Sequence, residues 1–217
     1  MAVNQLRSLS RRTFLARTAA SLSAAALCPA NAAAVWPPPV VVFSKVFQEL
    51  KLDREQAAEL TEAAGLDGVD CPVRPGGEIE PDRAAEELPR YAEALRRRGR
   101  RIGLLTTHIT SPASPHAETI LRTARALGVR WYRTGYWRIS KDKAPNLDAI
   151  RSELRDLAAM NRELGITGVV QNHSGAFVGG DLDQMERMLD GCHPDHIGLA
   201  FDFCHALITH GEDWVRH

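Results

Sequence analysis

The sequence predicts an α/β protein with a parallel sheet, arranged as an incomplete (β/α)8 barrel. Short apolar runs alternate with amphipathic segments from Pro38 onward, and this alternation is typical of parallel βα units. Glycine follows most of the predicted helices, as expected where a helix ends in a left-handed residue. No G-x-G-x-x-G motif follows the first strand, which argues against a doubly wound dinucleotide-binding sheet. A complete barrel needs eight units, and the chain holds about five and a half.

Each strand is predicted from a short apolar run, and each helix from apolar positions three and four residues apart. Asp53 is expected to cap the first helix and Gly65 to end it. In chain order, the predicted strands are 40–43, a segment beginning at Gly68, 101–106, 129–134, a segment beginning at Gly168, and 197–201. The predicted helices are 53–64, 81–98, 116–127, 146–164 and 181–189, and the chain ends in a sixth.

The N-terminal residues carry the pattern of an export signal. Ser10-Arg11-Arg12-Thr13-Phe14-Leu15 matches the twin-arginine signature, and a weakly apolar, alanine-rich run follows it to Leu27. Ala30-Asn31-Ala32 then offers a small-x-small cleavage site. We therefore expect residues 1–32 to be a signal peptide for the twin-arginine export machinery. The mature protein, 33–217, is expected to be periplasmic or otherwise extracytoplasmic.

Composition argues against several function classes. Lys and Arg total 27, and Asp and Glu also total 27, so no excess of positive charge favours nucleic acid or anionic lipid. After the signal, no apolar run reaches the ~18 residues that indicate a transmembrane segment. Of the four cysteines, Cys28 lies in the signal. Cys71, Cys192 and Cys204 are too scattered for a disulfide framework or a zinc knuckle.

Polar side chains gather just after the predicted strands, at the C-terminal rim where barrel enzymes place their chemistry. After strand six, Asp202 and His205 are spaced so that both can face one site, and carboxylate with imidazole suits Mn, Co, Zn or Mg. A capping aspartate beside a packed histidine explains the same spacing. After strand five, Gln171 can offer oxygen to a metal or its amide to a sugar hydroxyl. Asn172 and His173 follow it, and His173 is a candidate ligand, acid/base group or supporting residue.

Three other strand ends supply candidate residues. Arg74 begins a Pro-Gly-Gly turn in which backbone can approach a ligand, and its guanidinium can hold a phosphate or carboxylate. Arg133 and Trp137 bring a cation and an aromatic face, the usual lining of a sugar pocket. His108 closes strand three. The alternatives are a solvated arginine, aromatic side chains of the core, and a rim histidine with an ordinary hydrogen bond.

In this order, the motifs resemble the sugar phosphate isomerase/epimerase family, also called xylose isomerase-like TIM barrels, whose superfamily includes endonuclease IV. The resemblance rests on Phe43-Ser44-Lys45, on Val73-Arg74-Pro75-Gly76-Gly77, on Gln171-Asn172-His173-Ser174-Gly175, and on Asp202 with His205. It implies a (β/α)8 TIM barrel with one divalent metal and a polyol or keto-sugar beside it. Gln171 stands where the family has a glutamate, which removes one negative charge and the obvious base for proton transfer.

The resemblance also implies roles for individual residues. Asp202 matches a metal ligand, and His108 stands where the nuclease branch has a ligand. The candidate metal ligands are Asp202, Gln171 and His108; the candidate catalytic residues are His205 and His173; the candidate substrate-binding residues are Lys45, Arg74, Arg133, Asn172 and Trp137.

Two functions follow as hypotheses. The first is a metal-dependent isomerase or epimerase acting on a small sugar, sugar phosphate or polyol. The second is a non-catalytic sugar- or polyol-binding barrel outside the cytoplasm, because binding needs no base. A nuclease is disfavoured by the balanced charge and the export signal. Because strands seven and eight are missing, we expect residues 33–217 alone to aggregate or stay partly molten and to be inactive. We also expect the natural gene to continue past His217 by about 80 residues.

Overall fold

The computed structural model describes residues 38–140, 142 and 144–216. The predicted signal peptide, residues 1–32, lies outside them. The strands of the described part are β1 (Val41–Phe43), β2 (Gly68–Val73), β3 (Arg101–Thr107), β4 (Trp131–Arg133), β5 (Thr167–Gln171) and β6 (Ile197–Ala200). They form one sheet in sequence order, and every neighbouring pair is parallel. The predicted incomplete (β/α)8 barrel is confirmed.

The helices between the strands also follow the predicted order. They are α1 (Lys45–Glu49), α2 (Arg54–Ala63), α3 (Ala84–Arg97), α4 (Ala117–Ala126), α5 (Leu147–Leu164), α6 (Leu182–Leu189) and α7 (Phe203–His210), with 3-10 turns at Pro81–Arg83 and Gly211–Arg216. Asp53 caps α2 as predicted, because its carboxylate accepts from the Gln56 backbone N–H at 2.9 Å. The short helix α1 was not predicted, since five residues are too few to show a helical period.

The two faces of the sheet have different roles, because successive side chains of a strand point to opposite sides. The side chains that face the helices form a continuous buried core, which includes Cys71, Leu105, Tyr132, Val170 and Ile197. The alternate positions turn toward the inside of the barrel and carry the polar groups described below. A parallel sheet also brings the carboxyl ends of its strands to one rim, so the loops after neighbouring strands lie together.

A buried hydrogen-bonded chain joins α5 to the strands of the second half of the sheet. The Tyr132 hydroxyl donates to Asn161 Oδ1 at 2.9 Å, and Asn161 Nδ2 donates to the His196 carbonyl at 2.8 Å. Both Tyr132 and Asn161 are fully buried. Buried polar groups of this kind are costly to leave without a partner, so Asn161 fixes the position of α5 against β4 and the start of β6.

We expect Asn161→Leu to lower the free energy of unfolding by about 2 kcal/mol, because it leaves the buried Tyr132 hydroxyl without its partner. Denaturant titration of the variant and the unaltered protein measures this difference. The double variant Asn161→Leu/Tyr132→Phe removes both members of the bond and should regain part of the loss. A single variant as stable as the unaltered protein would show that the bond contributes nothing.

None of the helices in the described residues is both long and apolar enough to cross a membrane.

Candidate functional site

Asp202 is fixed where β6 passes into α7. Its Oδ1 accepts the backbone N–H of His205 at 3.0 Å and so caps α7. Its backbone is held from the β5 side, because Asp202 N donates to Asn172 Oδ1 at 2.6 Å and Asn172 Nδ2 donates to the Asp202 carbonyl at 2.9 Å. Asn172 is fully buried. The capping role expected as an alternative is therefore present, and it leaves Asp202 Oδ2 directed toward the neighbouring strand.

Gln171, at the end of β5, links Asp202 to β4. Its Nε2 donates to Asp202 Oδ2 at 2.8 Å. Its Oε1 accepts from the Arg133 guanidinium and from the Tyr136 hydroxyl. Two donors thus hold the amide oxygen, which orients the amide N–H toward the carboxylate. The result is a hydrogen-bonded chain across three neighbouring strand ends, from Arg133 through Gln171 to Asp202.

The two candidate catalytic histidines lie against each other beside this chain. The ring centroids of His173 and His205 are 3.8 Å apart. His173 Nδ1 lies 2.8 Å from the Ser174 carbonyl oxygen and donates to it, because a carbonyl oxygen can only accept. The Ser174 hydroxyl lies 2.8 Å from His205 Nδ1, and His205 Nε2 lies 3.9 Å from Asp202 Oδ2. Both rings are therefore fixed through the β5–α6 loop.

Aromatic side chains line the site on the β4 and β5 side. Tyr136 and Phe177 each contact the His173 ring, with centroids 5.1 and 4.9 Å away, and their own centroids are 4.8 Å apart. The Arg133 guanidinium lies 5.5 Å from the ring centroids of both Phe43 and Tyr136. Cations over aromatic faces at this distance are attracted by the ring. The Arg133 head is therefore held between two rings while it binds Gln171.

Asp70, on β2, is a second carboxylate at the same site. An open cavity of about 470 Å³ is lined by Asp70, Leu104, Arg133, Gln171, Ala200, Phe201, Asp202, Phe203 and Cys204. The Thr106 hydroxyl lies 2.8 and 2.9 Å from the two Asp70 carboxylate oxygens and donates to them. No role was assigned to Asp70 from the sequence. One feature of the sequence could have pointed to a functional role for Asp70, since its carboxylate interrupts an otherwise apolar strand.

The two carboxylates of the cavity have opposite electrostatic environments. Burial raises the pKa of Asp70, although the Thr106 hydroxyl and the guanidinium groups of Arg133 and Arg74 oppose the shift. Burial also acts to raise the pKa of Asp202, but the His205 backbone N–H, the His205 ring and the Gln171 amide outweigh it and hold the pKa below its ordinary value. Asp202 is therefore the more firmly ionised of the pair.

Other predicted site residues lie apart from this chain or contact it indirectly. Arg74 reaches the edge of the site, with its guanidinium 5.9 Å from the Phe43 centroid. Trp137 Nε1 donates to Glu153 at 2.7 Å, and its ring packs against the core. Lys45 lies in α1 rather than on a strand, and its ammonium pairs with Glu49 at 3.1 Å on the surface. Their roles in substrate binding stay predictions.

The predicted metal ligands do not form a metal site by themselves. His108 Nε2 donates to the Pro115 carbonyl at 3.1 Å, in the β3–α4 loop. Gln171 presents its N–H group, not its oxygen, to Asp202. In residues 38–140, 142 and 144–216, no three His, Cys, Asp or Glu side chains are grouped to hold a metal. A divalent ion at Asp202 would require ligands that these residues do not supply.

The sequence over most of the chain matches the model of a known family. The model of the xylose isomerase-like TIM barrel matches residues 58–217. The chain belongs to the xylose isomerase-like TIM barrel family. No curated protein shows significant sequence similarity to it.

Solved structures show the same fold at low sequence identity. A provisionally assigned xylose isomerase from Rhodospirillum rubrum has a TM-score of 0.63 and 20% identity, over 78% of this chain and 67% of its own. The 3-keto-D-glucoside 4-epimerase YcjR from E. coli has a TM-score of 0.57 and 14% identity, over 75% and 68%. An L-ribulose 3-epimerase has a TM-score of 0.58 and 18% identity, over 79% and 63%. The chain thus spans about two thirds of the length of these xylose isomerase-like barrels.

Proposed function

We propose that this protein is an isomerase or epimerase of a small sugar, sugar phosphate or polyol. The observation that carries the proposal is the hydrogen-bonded chain Arg133–Gln171–Asp202, which opens onto a cavity of about 470 Å³ at the rim of a xylose isomerase-like barrel. The structural neighbours named as sugar epimerases support the same class of substrate. Incubation of the full-length gene product with a panel of aldoses, ketoses and their phosphates, followed by product analysis, tests it.

The side chains of this site suit a polyhydroxylated ligand. Beside the bond that joins them, Asp202 Oδ2 keeps a lone pair and the Gln171 amide keeps its second N–H, so the pair can accept from one sugar hydroxyl and donate to the next. Arg133 places a cation where a carbonyl oxygen or a phosphate can accept hydrogen bonds. His205 Nε2 lies on the Asp202 side and can hydrogen-bond a hydroxyl there. These residues bind and orient a sugar without any redox reagent.

Asp202 is the one residue to which the proposal gives the role of ligand for a divalent metal, which would be Mn, Co, Zn or Mg. The described residues do not complete a ligand set, so no step of the reaction is assigned to a metal. Metal analysis of the full-length gene product, purified without chelator, tests whether one is bound. A metal content that Asp202→Asn leaves unchanged would show that Asp202 is not a ligand.

The second candidate function is a barrel that binds a sugar without converting it. Gln171 favours it, because an amide cannot take up a proton and both ends of this amide are already hydrogen-bonded. Thermal-shift measurements with sugars, with and without chelator, separate the two functions when combined with the turnover assay. Stabilisation by a sugar that is never converted would favour the binding protein.

We expect Gln171→Glu to increase the affinity for Mn²⁺ by about tenfold or more, because it places a second negative charge beside Asp202. Calorimetric titration of the full-length protein with MnCl₂ measures the change. Gln48→Glu makes the same change of charge in α1, outside the lining of the cavity, and should leave the affinity as it was. Equal affinities for the Gln171 variant and the unaltered protein would contradict the prediction.

We also propose that the protein acts outside the cytoplasm after export by the twin-arginine route. The support is the order of signature, alanine-rich run and cleavage site in residues 1–32. Fractionation of cells that carry a tagged full-length gene tests the location.

A further inference from the structure

One carboxylate of the cavity has no part in the hydrogen-bonded chain described above. Asp70 lines the cavity together with Asp202, Gln171 and Arg133. Its side chain points into the barrel, where the Thr106 hydroxyl donates to it from β3. The Ser44 backbone N–H donates to the Asp70 carbonyl at 2.9 Å, so the residue is fixed from β1 as well. The backbone of Asp70 is thus held from the β1 side and its carboxylate from β3, which gives the carboxylate a defined position in the cavity.

We infer that Asp70 moves the proton at the reacting carbon of the sugar, in place of the carboxylate that Gln171 does not supply. This inference rests on the proposed isomerase or epimerase function. It differs from the sequence-based assignment, which gave catalysis to His205 and His173 and gave Asp70 no role.

The hydrogen bonds of the two aspartates assign them different tasks. Each oxygen of Asp202 already accepts an N–H, one from Gln171 and one from His205. These donors stabilise the ionised form, so Asp202 suits binding and charge stabilisation more than proton uptake. The two oxygens of Asp70 share the single proton of the neutral Thr106 hydroxyl, so lone pairs of this carboxylate remain to take up a proton.

Burial supports this division of roles. It raises the pKa of Asp70 above its ordinary value. An acid/base group works best when its pKa is close to the working pH, so the shift has the direction that proton transfer needs. The charged and titratable groups around Asp70 are Arg74, Arg133, Tyr136 and Cys71, and Asp202 shares the lining of the cavity with it. The two arginines oppose the shift because their charges favour the ionised carboxylate, which is the form needed for the first step.

The proposed step conserves atoms and electrons. An Asp70 oxygen takes the proton from the carbon beside the sugar carbonyl. The electrons of the broken C–H bond form the C=C bond of an enediolate, and the carbonyl π electrons move onto oxygen, where the Arg133 cation stabilises the charge. The hydroxyl proton on the carbon that lost its C–H then passes to the former carbonyl oxygen, and the electrons left on its own oxygen form the new C=O bond. Return of the proton from Asp70 to the former carbonyl carbon, which takes the electrons of the C=C bond, completes an isomerisation. No oxidant or reductant is consumed.

Asp70→Asn in the full-length gene product tests the inference, because asparagine keeps the shape but cannot accept the proton. We expect kcat to fall by about 100-fold or more, with sugar affinity within about threefold of the unaltered protein. Incorporation of deuterium from D₂O at the reacting carbon should fall in parallel. In the unaltered protein, kcat/KM should rise with pH through the raised pKa of Asp70, because the ionised carboxylate is the base. The kcat/KM of Asp70→Asn should show no such rise.

Asp195→Asn is the matched control. Asp195 lies in the loop before β6 with an exposed side chain, and its substitution should leave turnover and exchange unchanged. Asp70→Glu keeps the acid/base group and should recover part of the turnover. If the unaltered protein converts and exchanges sugars while Asp70→Asn does so equally well, this inference alone is overturned. If the unaltered protein neither converts sugars nor exchanges their protons, both the proposed function and this inference are wrong.

Discussion

Asp202→Ala is expected to lower turnover by about 1,000-fold, because it removes a charge that binds the sugar and breaks the chain of hydrogen bonds across the strand ends. Without Asp202 Oδ2, the Gln171 amide loses the partner that it holds at 2.8 Å. The His205 backbone N–H loses its cap as well. Rates and sugar affinities of the full-length variant measure the effect.

A matched variant separates the charge from the fold. Asparagine is as good a helix cap as aspartate, so Asp202→Asn should keep the stability of α7 while it loses the charge. We expect it to melt with the unaltered protein and to lose nearly as much turnover as Asp202→Ala. The alanine variant should in addition lose about 1 kcal/mol of stability with the cap. Full turnover in both variants would show that Asp202 has no part in catalysis.

Short-range sequence patterns were enough to predict the βα units of the barrel. Periodic apolar positions, the Asp53 cap and glycines after helices act within a few residues, so they can be read along the chain. Asp202, Gln171 and Asn172 lie together because parallel strands in sequence order bring consecutive strand ends to one rim, and the roles predicted for them stay predictions. The short helix α1 was not predicted, because a helix of about one and a half turns is too short to show a periodic apolar pattern.

The roles of the polar side chains depend on contacts between distant parts of the chain. Whether Gln171 presents oxygen or N–H is decided by Arg133 and Tyr136, which occupy its oxygen. The direction of His108 is decided by the Pro115 carbonyl in the following loop. No spacing along the sequence encodes these bonds. The predicted metal ligands depended most on such contacts, because three side chains from different strands had to converge on one point.

The exposed apolar side chains beside β6 predict that residues 33–217 expressed alone will associate. β6 is an outer strand of the sheet. Phe203 and Ile208 of α7 are 65% and 63% exposed, and Val215 is 67% exposed. Beside them lies a cavity of about 640 Å³, lined largely by apolar side chains of α6, β6 and the last 3-10 turn. An open strand next to an apolar surface promotes association between molecules.

We expect this polypeptide to elute from a sizing column as oligomers or aggregates and to bind a hydrophobic dye. The double variant Phe203→Lys/Ile208→Lys should shift it toward a monomer, because charge on the exposed face of α7 opposes association. Leu60→Lys adds a charge on the partly exposed surface of α2, away from β6. This control should leave the association unchanged. A monomeric polypeptide with a cooperative melting transition would contradict the prediction. It would also show that six βα units of this family can form a stable domain without further strands, which favours the binding function over the enzyme.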